Sequence, residues 1–367
     1  MRLSLLLLSL FTFFIIVEET KAQYIFKDKL VIESTAIKDQ QRTGSCWSFA
    51  TCSFVESELL RQGKGALDLS EMFVVRNAYK ERARNYVLRK GKASFGQGGL
   101  AHDFLMVVDK YGIVPESTYS GRASSAEVYN HSEMETLLKG MMDGLLSNKK
   151  IGQKWSQALE AILDVYLGEI PSDFESNGHT YSAKDYYNEL GFNTQDYMSI
   201  TSFSHHPYYE SFVLEIPDNY SSGSFLNVKM EELEQIVDHA MKAGYTVAWH
   251  GDSTEKTFSR KENIAIIPIA PKRKNLFLVP GKEKKVLQED RQEAFESFGT
   301  TDDHLMHIVG IAEDQNGSKY YKIKNSWGEY GAFKGYMYMS MSYFKLKTIS
   351  ILVHKDALPI GISNKIQ

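Results

Sequence analysis

The segment Gln40-Gln-Arg-Thr-Gly-Ser-Cys46-Trp-Ser-Phe-Ala50 places a cysteine where a helix begins. Cys46, Phe49, Ala50, Ser53 and Phe54 recur at helical spacing, which predicts a helix from Ser45 to about Gln62, stopped by Gly63. Ser45 is the predicted N-cap, so Cys46 falls in the first turn. A thiol attacks as the thiolate, and a helix N-terminus stabilises that anion through its dipole and its free N–H groups. An imidazolium partner lowers the thiol pKa further. Attack on a carbonyl then requires donors for the oxyanion. The backbone N–H of Cys46 is one, and the side-chain amide of Gln40 supplies a second. A Cys-Trp pair alone is usually core, so the reading rests on the whole eleven-residue string.

Two further segments carry the polar groups such a nucleophile needs. Thr301-Asp-Asp-His304-Leu-Met-His307-Ile-Val-Gly310 offers two histidines for the base. Tyr320-Tyr-Lys-Ile-Lys-Asn325-Ser-Trp327-Gly328-Glu-Tyr-Gly331 offers an asparagine to orient an imidazole and fix its tautomer. Trp327 is placed to cover that hydrogen bond from water.

Together these segments resemble the papain superfamily of cysteine peptidases. Gln40 lies six residues before the Cys46-Trp47 pair, the offset of that family's oxyanion-hole glutamine. His304 precedes an apolar run and lies six residues before Gly310, as the family histidine does, whereas His307 falls inside the predicted strand. Asn325-Ser-Trp327-Gly is similar to the family asparagine motif. The resemblance implies a Cys46–His304–Asn325 triad on a papain-like two-lobe α+β fold. Gly96-Gln-Gly98-Gly99-Leu resembles the glycine segment of the family's cleft, so Gly98 and Gly99 are expected to bind substrate backbone, where a side chain would obstruct it.

Within the superfamily, the chain is identified as a member of the bleomycin hydrolase, or aminopeptidase C, branch. Gln40 leaves no room for a long propeptide, and Ala243-Gly-Tyr-Thr-Val-Ala-Trp-His-Gly-Asp252 and Val353-His-Lys-Asp-Ala-Leu-Pro359 resemble later segments of the branch. That branch places its C-terminal carboxylate in the cleft to receive a substrate's free amine. The tail Ile360-Gly-Ile-Ser-Asn-Lys-Ile-Gln367 departs from the branch's ending. Thiol-dependent peptide hydrolysis is therefore the firmer expectation and aminopeptidase action the finer one. Papain-like endopeptidase action, acyl transfer by the same triad, and an inactive binding protein of the same fold are the alternatives.

Residues 1–22 read as an export signal: Arg2, an apolar run from Leu3 to Val17, and a small residue, Ala22, at the expected cut. Export through the periplasm or a secretory route is expected, with no membrane span in the mature chain. An exported protein with two cysteines is no disulfide scaffold. Cys46 and Cys52 lie six apart on one predicted helix and face different sides, so burial is assigned to Cys52 and chemistry to Cys46. The formal charge of -4 excludes a strongly basic nucleic-acid binder. No His-Glu-x-x-His or paired Cys-x-x-Cys motif appears, so no metal or other cofactor is implied. Peptides are the expected partners, and a homo-oligomer is left open.

The remaining organisation is coarser. The peptidase domain, 23–367, divides into a helical lobe at about 39–120, a helical insertion at about 121–229, a β-rich lobe at about 230–354, and a tail at 355–367. Helices are expected at Gly99–Lys110 and Met230–Ala243, and at intervals between Glu127 and Gly191. Strands are expected at Tyr245–His250, His307–Ala312, Tyr320–Lys324, Gly335–Met339 and Ile349–His354. Ala270 to Ala294 reads as a charged, solvated excursion.

Overall fold

The computed structural model describes residues 24–122 and 127–366, so the expected export signal lies outside the described residues. The chain opens with β1 (Phe26–Val31), followed by α1 (Cys46–Arg61), α2 (Glu71–Leu88) and α3 (Ala101–Tyr111). Next come α4 (Ser132–Leu146), α5 (Trp155–Leu167), the hairpin β2 (Phe174–Ser176) and β3 (His179–Tyr181), and α6 (Ala183–Leu190). Strands β4 (Tyr197–Thr201), β5 (Ser211–Val213) and β6 (Ser224–Asn227) precede α7 (Met230–Lys242) and β7 (Val247–Gly251). The last third holds β8 (Phe258–Ser259), β9 (Ile264–Ala265), α8 (Gln288–Glu296), β10 (His304–Asp314) and β11 (Lys319–Lys324). It closes with β12 (Tyr336–Ser340), α9 (Met341–Lys347), β13 (Thr348–His354) and α10 (Ile360–Ser363).

One large sheet runs in the order β5-β6-β4-β13-β7-β10-β11-β12-β9-β8, with β1 also paired to β10. Alternation along its central strands separates two cores, because successive side chains leave a strand on opposite faces. Ala248, Leu305 and Leu352 pack with α1. Val247, Trp249, Met306, Ile308, Ile351 and Val353 pack with Leu233, Ile236, Val237, Ala240 and Met241 of α7. The sheet is thus a wall between the nucleophile helix and α7. Trp249 and Trp47, each almost wholly buried, anchor the two sides.

Two expectations are corrected. The segment expected as a helical insertion contributes β4, β5 and β6 to the main sheet: β4 pairs with β13 from Thr201↔Ser350 to Tyr197↔His354. The expected solvated excursion at 270–294 also docks through its second half. Glu283 accepts from the Ile267 N–H at 2.8 Å and from Ser340. Arg291 of α8 is 1% exposed and donates to the carbonyls of Ser202 (2.7 Å) and Lys345 (2.9 Å). A charged segment buries in this way when each charge finds fixed oxygen acceptors. No described helix is long and apolar enough to cross a membrane.

Candidate active site

Cys46 is the first residue of α1, and the turn before it is held from outside the helix. Gly44 N–H donates to Gln97 Oε1 at 2.7 Å, and Trp47 Nε1 donates to the Gln97 carbonyl at 2.9 Å. Gln97 is itself anchored by donating to Glu135 at 2.6 Å. Ser45 occupies the N-cap position, but its side chain accepts no bond from the helix. The Ser48 N–H turns back to the Ser45 carbonyl at 2.9 Å, while the Trp47 N–H faces the Cys46 sulfur. Burial pushes the Cys46 thiol up to about 12; the backbone N–H groups of Leu305 and Trp47 oppose that rise, and the charges of Asp218 and Asp303 add to it. The Leu305 N–H also locates Cys46 against the start of β10, one residue past His304.

His304 opens β10 and is 4% exposed. Its Nε2 lies 2.9 Å from Asn325 Oδ1. Neighbours fix the Asn325 amide: Nδ2 donates to the Tyr330 hydroxyl at 3.2 Å and Oδ1 accepts from Ser326 N–H at 2.8 Å. Because that oxygen can only accept, the proton of neutral His304 sits on Nε2 and Nδ1 is left as the basic nitrogen. Trp327 stacks on the imidazole with ring centroids 4.6 Å apart, and Arg260 lies over the indole at 3.9 Å. Burial pushes His304 down to about 4; the Asn325 bond opposes this, and Arg260 and His250 add to it. Cys46 and His304 are each held toward the neutral form.

Gln40 bridges the two sides of the site. Its backbone N–H and side-chain Oε1 are tied to Ser326, at 2.9 Å from the carbonyl and 2.6 Å from the hydroxyl. One Nε2 hydrogen goes to the Thr43 carbonyl at 2.8 Å, which leaves the second free. Gly99 packs on the Trp47 indole, where an added Cβ would stand 2.9 Å from Cε2. A Cβ on Gly98 would collide with the Asp218 carboxylate. These glycines are required by close approach rather than by backbone angle.

His307 lies elsewhere. It is fully buried between β10 and α1, with Nδ1 2.9 Å from Ser53 Oγ, and Lys324 Nζ donates to the same hydroxyl at 2.7 Å. Cys52 is likewise buried, with Sγ 3.5 Å from the Leu69 carbonyl, and both cysteines are free thiols. Gln97, Ser326, Arg260 and Asp218 were not singled out from sequence. Gln97 stands inside a quoted motif, so its amide was a legible signal; the others are common residues in ordinary turns.

The model described as the Peptidase C1-like family matches residues 74–367, a span that includes His304 and Asn325 and begins after Cys46. Aminopeptidase G of Lactobacillus delbrueckii subsp. lactis is 25% identical over 371 residues, covering 88% of this chain and 81% of the relative. Aminopeptidase C of Lactobacillus helveticus is 24% identical over 368 residues, covering 88% and 80%. The crystal structure of PepW from Lactobacillus rhamnosis HN001 superposes with a TM-score of 0.74 at 20% identity, over 93% of this chain and 84% of that one. That likeness carries the fold, which is papain-like and α+β as the motifs implied. The chain belongs to the Peptidase C1-like family and is a cysteine-type peptidase of the papain superfamily.

Proposed function

We propose that the chain is an exported cysteine aminopeptidase whose triad is Cys46, His304 and Asn325. One observation carries the triad: Asn325 Oδ1 accepts from His304 Nε2–H, leaving Nδ1 basic at the end of β10 that abuts Cys46. In this mechanism His304 accepts the Cys46 proton and the thiolate attacks the peptide carbonyl. The Cys46 N–H and the free Gln40 hydrogen hold the oxyanion. The imidazolium protonates the departing amine, and water activated by His304 then cleaves the thioester. The aminopeptidase names of relatives at about 25% identity support release of amino-terminal residues.

Internal cleavage is a second reading, favoured by the path of the tail. Lys365 pairs with Glu232 at the start of α7 at 2.6 Å, and Ile366 packs against the α7 core, on the sheet face away from α1. Among the described residues no tail side chain bonds to Cys46, His304, Asn325 or Gln40.

The test compares free-amine and N-acetylated fluorogenic peptides, after reduction and with labelling at Cys46 by an epoxysuccinyl probe. Labelling lost in Cys46→Ala, with preferred turnover of free-amine peptides, is expected. Rapid internal cleavage of acetylated peptides would sink the aminopeptidase assignment, and absence of labelling would sink the triad. Amine incorporation outpacing hydrolysis would mark an acyltransferase. Export is checked by Edman sequencing of secreted protein, with Gln23 expected as the first residue.

A further inference from the structure

The cleft wall beside Gly98 carries a carboxylate that the hydrolytic chemistry leaves unused. Asp218 lies in the loop 214–223 between β5 and β6, partly exposed, with its carboxylate against the Gly98 backbone. It is near enough to Cys46 to disfavour the thiolate.

Three neighbouring carboxylates, Asp302, Asp303 and Asp252, are occupied. Asp302 accepts from His250 Nε2 at 2.6 Å and from the Asp218 N–H at 3.1 Å. Asp303 accepts from Ser253 N–H at 2.8 Å and from the hydroxyls of Ser253, Thr254 and Thr301. Asp252 accepts from Thr254 and Thr301 N–H groups and pairs with Lys347 at 3.3 Å. Among the described residues, nothing donates to the Asp218 carboxylate.

The loop that presents it is held by hydrogen bonds. Asn219 Nδ2 donates to the carbonyls of Leu214 and Gly223 at 2.9 Å each, and its Oδ1 accepts from Gly223 N–H at 2.7 Å. Asn85 donates to the Tyr220 carbonyl at 2.8 Å, and Arg82 lies over the Tyr220 ring. A carboxylate held in place without a donor suits a cation that arrives from outside.

We propose that Asp218 receives the free α-ammonium of a peptide's first residue and so restricts the cleft to amino-terminal residues. This rests on the peptidase reading above and names how that same site selects its substrates. The α-nitrogen is two bonds from the carbonyl carbon that Cys46 attacks, so its receptor must flank the nucleophile. A peptide extending further in that direction would have to cross Gly98 where the carboxylate lies. An amide N–H there brings no charge to offset desolvating it.

The carboxylate is set by several neighbours. Burial and the charge of Asp302 push Asp218 up to about 6, Arg82 and His250 pull it down, and Asp103 raises it. Below that pH the ammonium loses its partner.

The test is Asp218→Asn, which keeps shape and removes charge, assayed with aminoacyl-methylcoumarin amides and their N-acetyl counterparts. The expected result is an approximately 10- to 100-fold fall in the kcat/KM ratio of free to acetylated substrate, the range of one lost hydrogen bond to a charged group. Asp218→Glu recovers part of the ratio. In the wild type the ratio also falls as pH drops through about 6, and Asp218→Asn removes that limb. A ratio unchanged in Asp218→Asn overturns the proposal, as does equal loss on both substrates by a variant that melts like wild type. Wild type that labels at Cys46 but shows no free-amine preference overturns it while leaving the peptidase reading intact. Wild type that neither labels nor hydrolyses defeats the peptidase reading first.

Discussion

Two histidines three residues apart on one strand should separate catalysis from stability. His307 is fully buried, and its Nδ1 makes one hydrogen bond, to Ser53. Its Nε2 has no partner among the described residues. Replacing it with Ala loses that bond, about 1 kcal/mol, and opens a cavity of the kind that costs about 2–5 kcal/mol. Two features soften the loss. Ser53 keeps Lys324 as a donor, and removing the unpartnered nitrogen returns roughly 1 kcal/mol of desolvation cost. The balance is a destabilisation of about 2–5 kcal/mol, or a melting temperature lower by roughly 3–7 °C for a chain of this length. Turnover per folded molecule should hardly change. His304→Ala should differ in turnover: it gives up its Trp327 stack and its Asn325 bond, about 1 kcal/mol each, while kcat falls by roughly 10⁴-fold because the base is gone. Melting curves and active-site-titrated kinetics on both variants give the readout. An active His304→Ala, or a fully folded but inactive His307→Ala, would refute the assignment.

Gln40→Ala should lower kcat by about 10²- to 10³-fold with little change in KM, since the free amide hydrogen acts on the oxyanion alone; an equal rise in KM would point to substrate binding instead. Gly99→Ala pushes a methyl onto the Trp47 indole and should cost about 1–3 kcal/mol, read as a lower melting temperature; an unchanged melt would contradict the contact. His131→Phe tests acid sensitivity. His131 is 3% exposed with both ring nitrogens unpartnered among the described residues, and burial lowers it to about 4. Its folded pKa lies below the unfolded 6.5, so the unfolded chain binds the extra proton and stability falls as pH drops from about 6.5 toward 4. The variant should gain about 2–3 kcal/mol on wild type between pH 7 and 4.5 by denaturant titration, and identical pH profiles would count against it.

Local signals were legible where local chemistry sets the structure. Gly63 and Gly112 both follow helix ends with positive φ, which is why α1 and α3 end close to where the pattern stops. The apolar run of β10 was readable for the same reason, and the spacing of His304 to Gly310 was legible through the family resemblance. Strands β4 to β6 were not, because their partners are remote: Ile200 pairs with Ile351 on β13 and with Leu226 on β6. β1 is similar, an edge segment whose Phe26 finds Asp314 across almost the whole chain. The charge-rich run ending in α8 hid a buried arginine, since nothing local announces the carbonyls of Ser202 and Lys345. Asp218 was hidden too. Pro217-Asp-Asn219 reads as an ordinary surface turn, and only the fold lays it against Gly98.

The placement of Asp218 bears on reactivity as well as selection. Burial is the largest influence raising the Cys46 thiol, and the Leu305 and Trp47 N–H groups offset it in part. Asp218 adds to the rise, and burial holds His304 toward its neutral form. An α-ammonium docked on Asp218 cancels that negative charge and removes its penalty on the thiolate. His304 can then take the Cys46 proton at lower cost, with Asn325 stabilising the imidazolium through Nε2–H. An acetylated peptide cannot make that change, even if its carbonyl reaches the oxyanion donors. On the role proposed for Asp218, selection of the free amine would act on the chemical step as well as on binding.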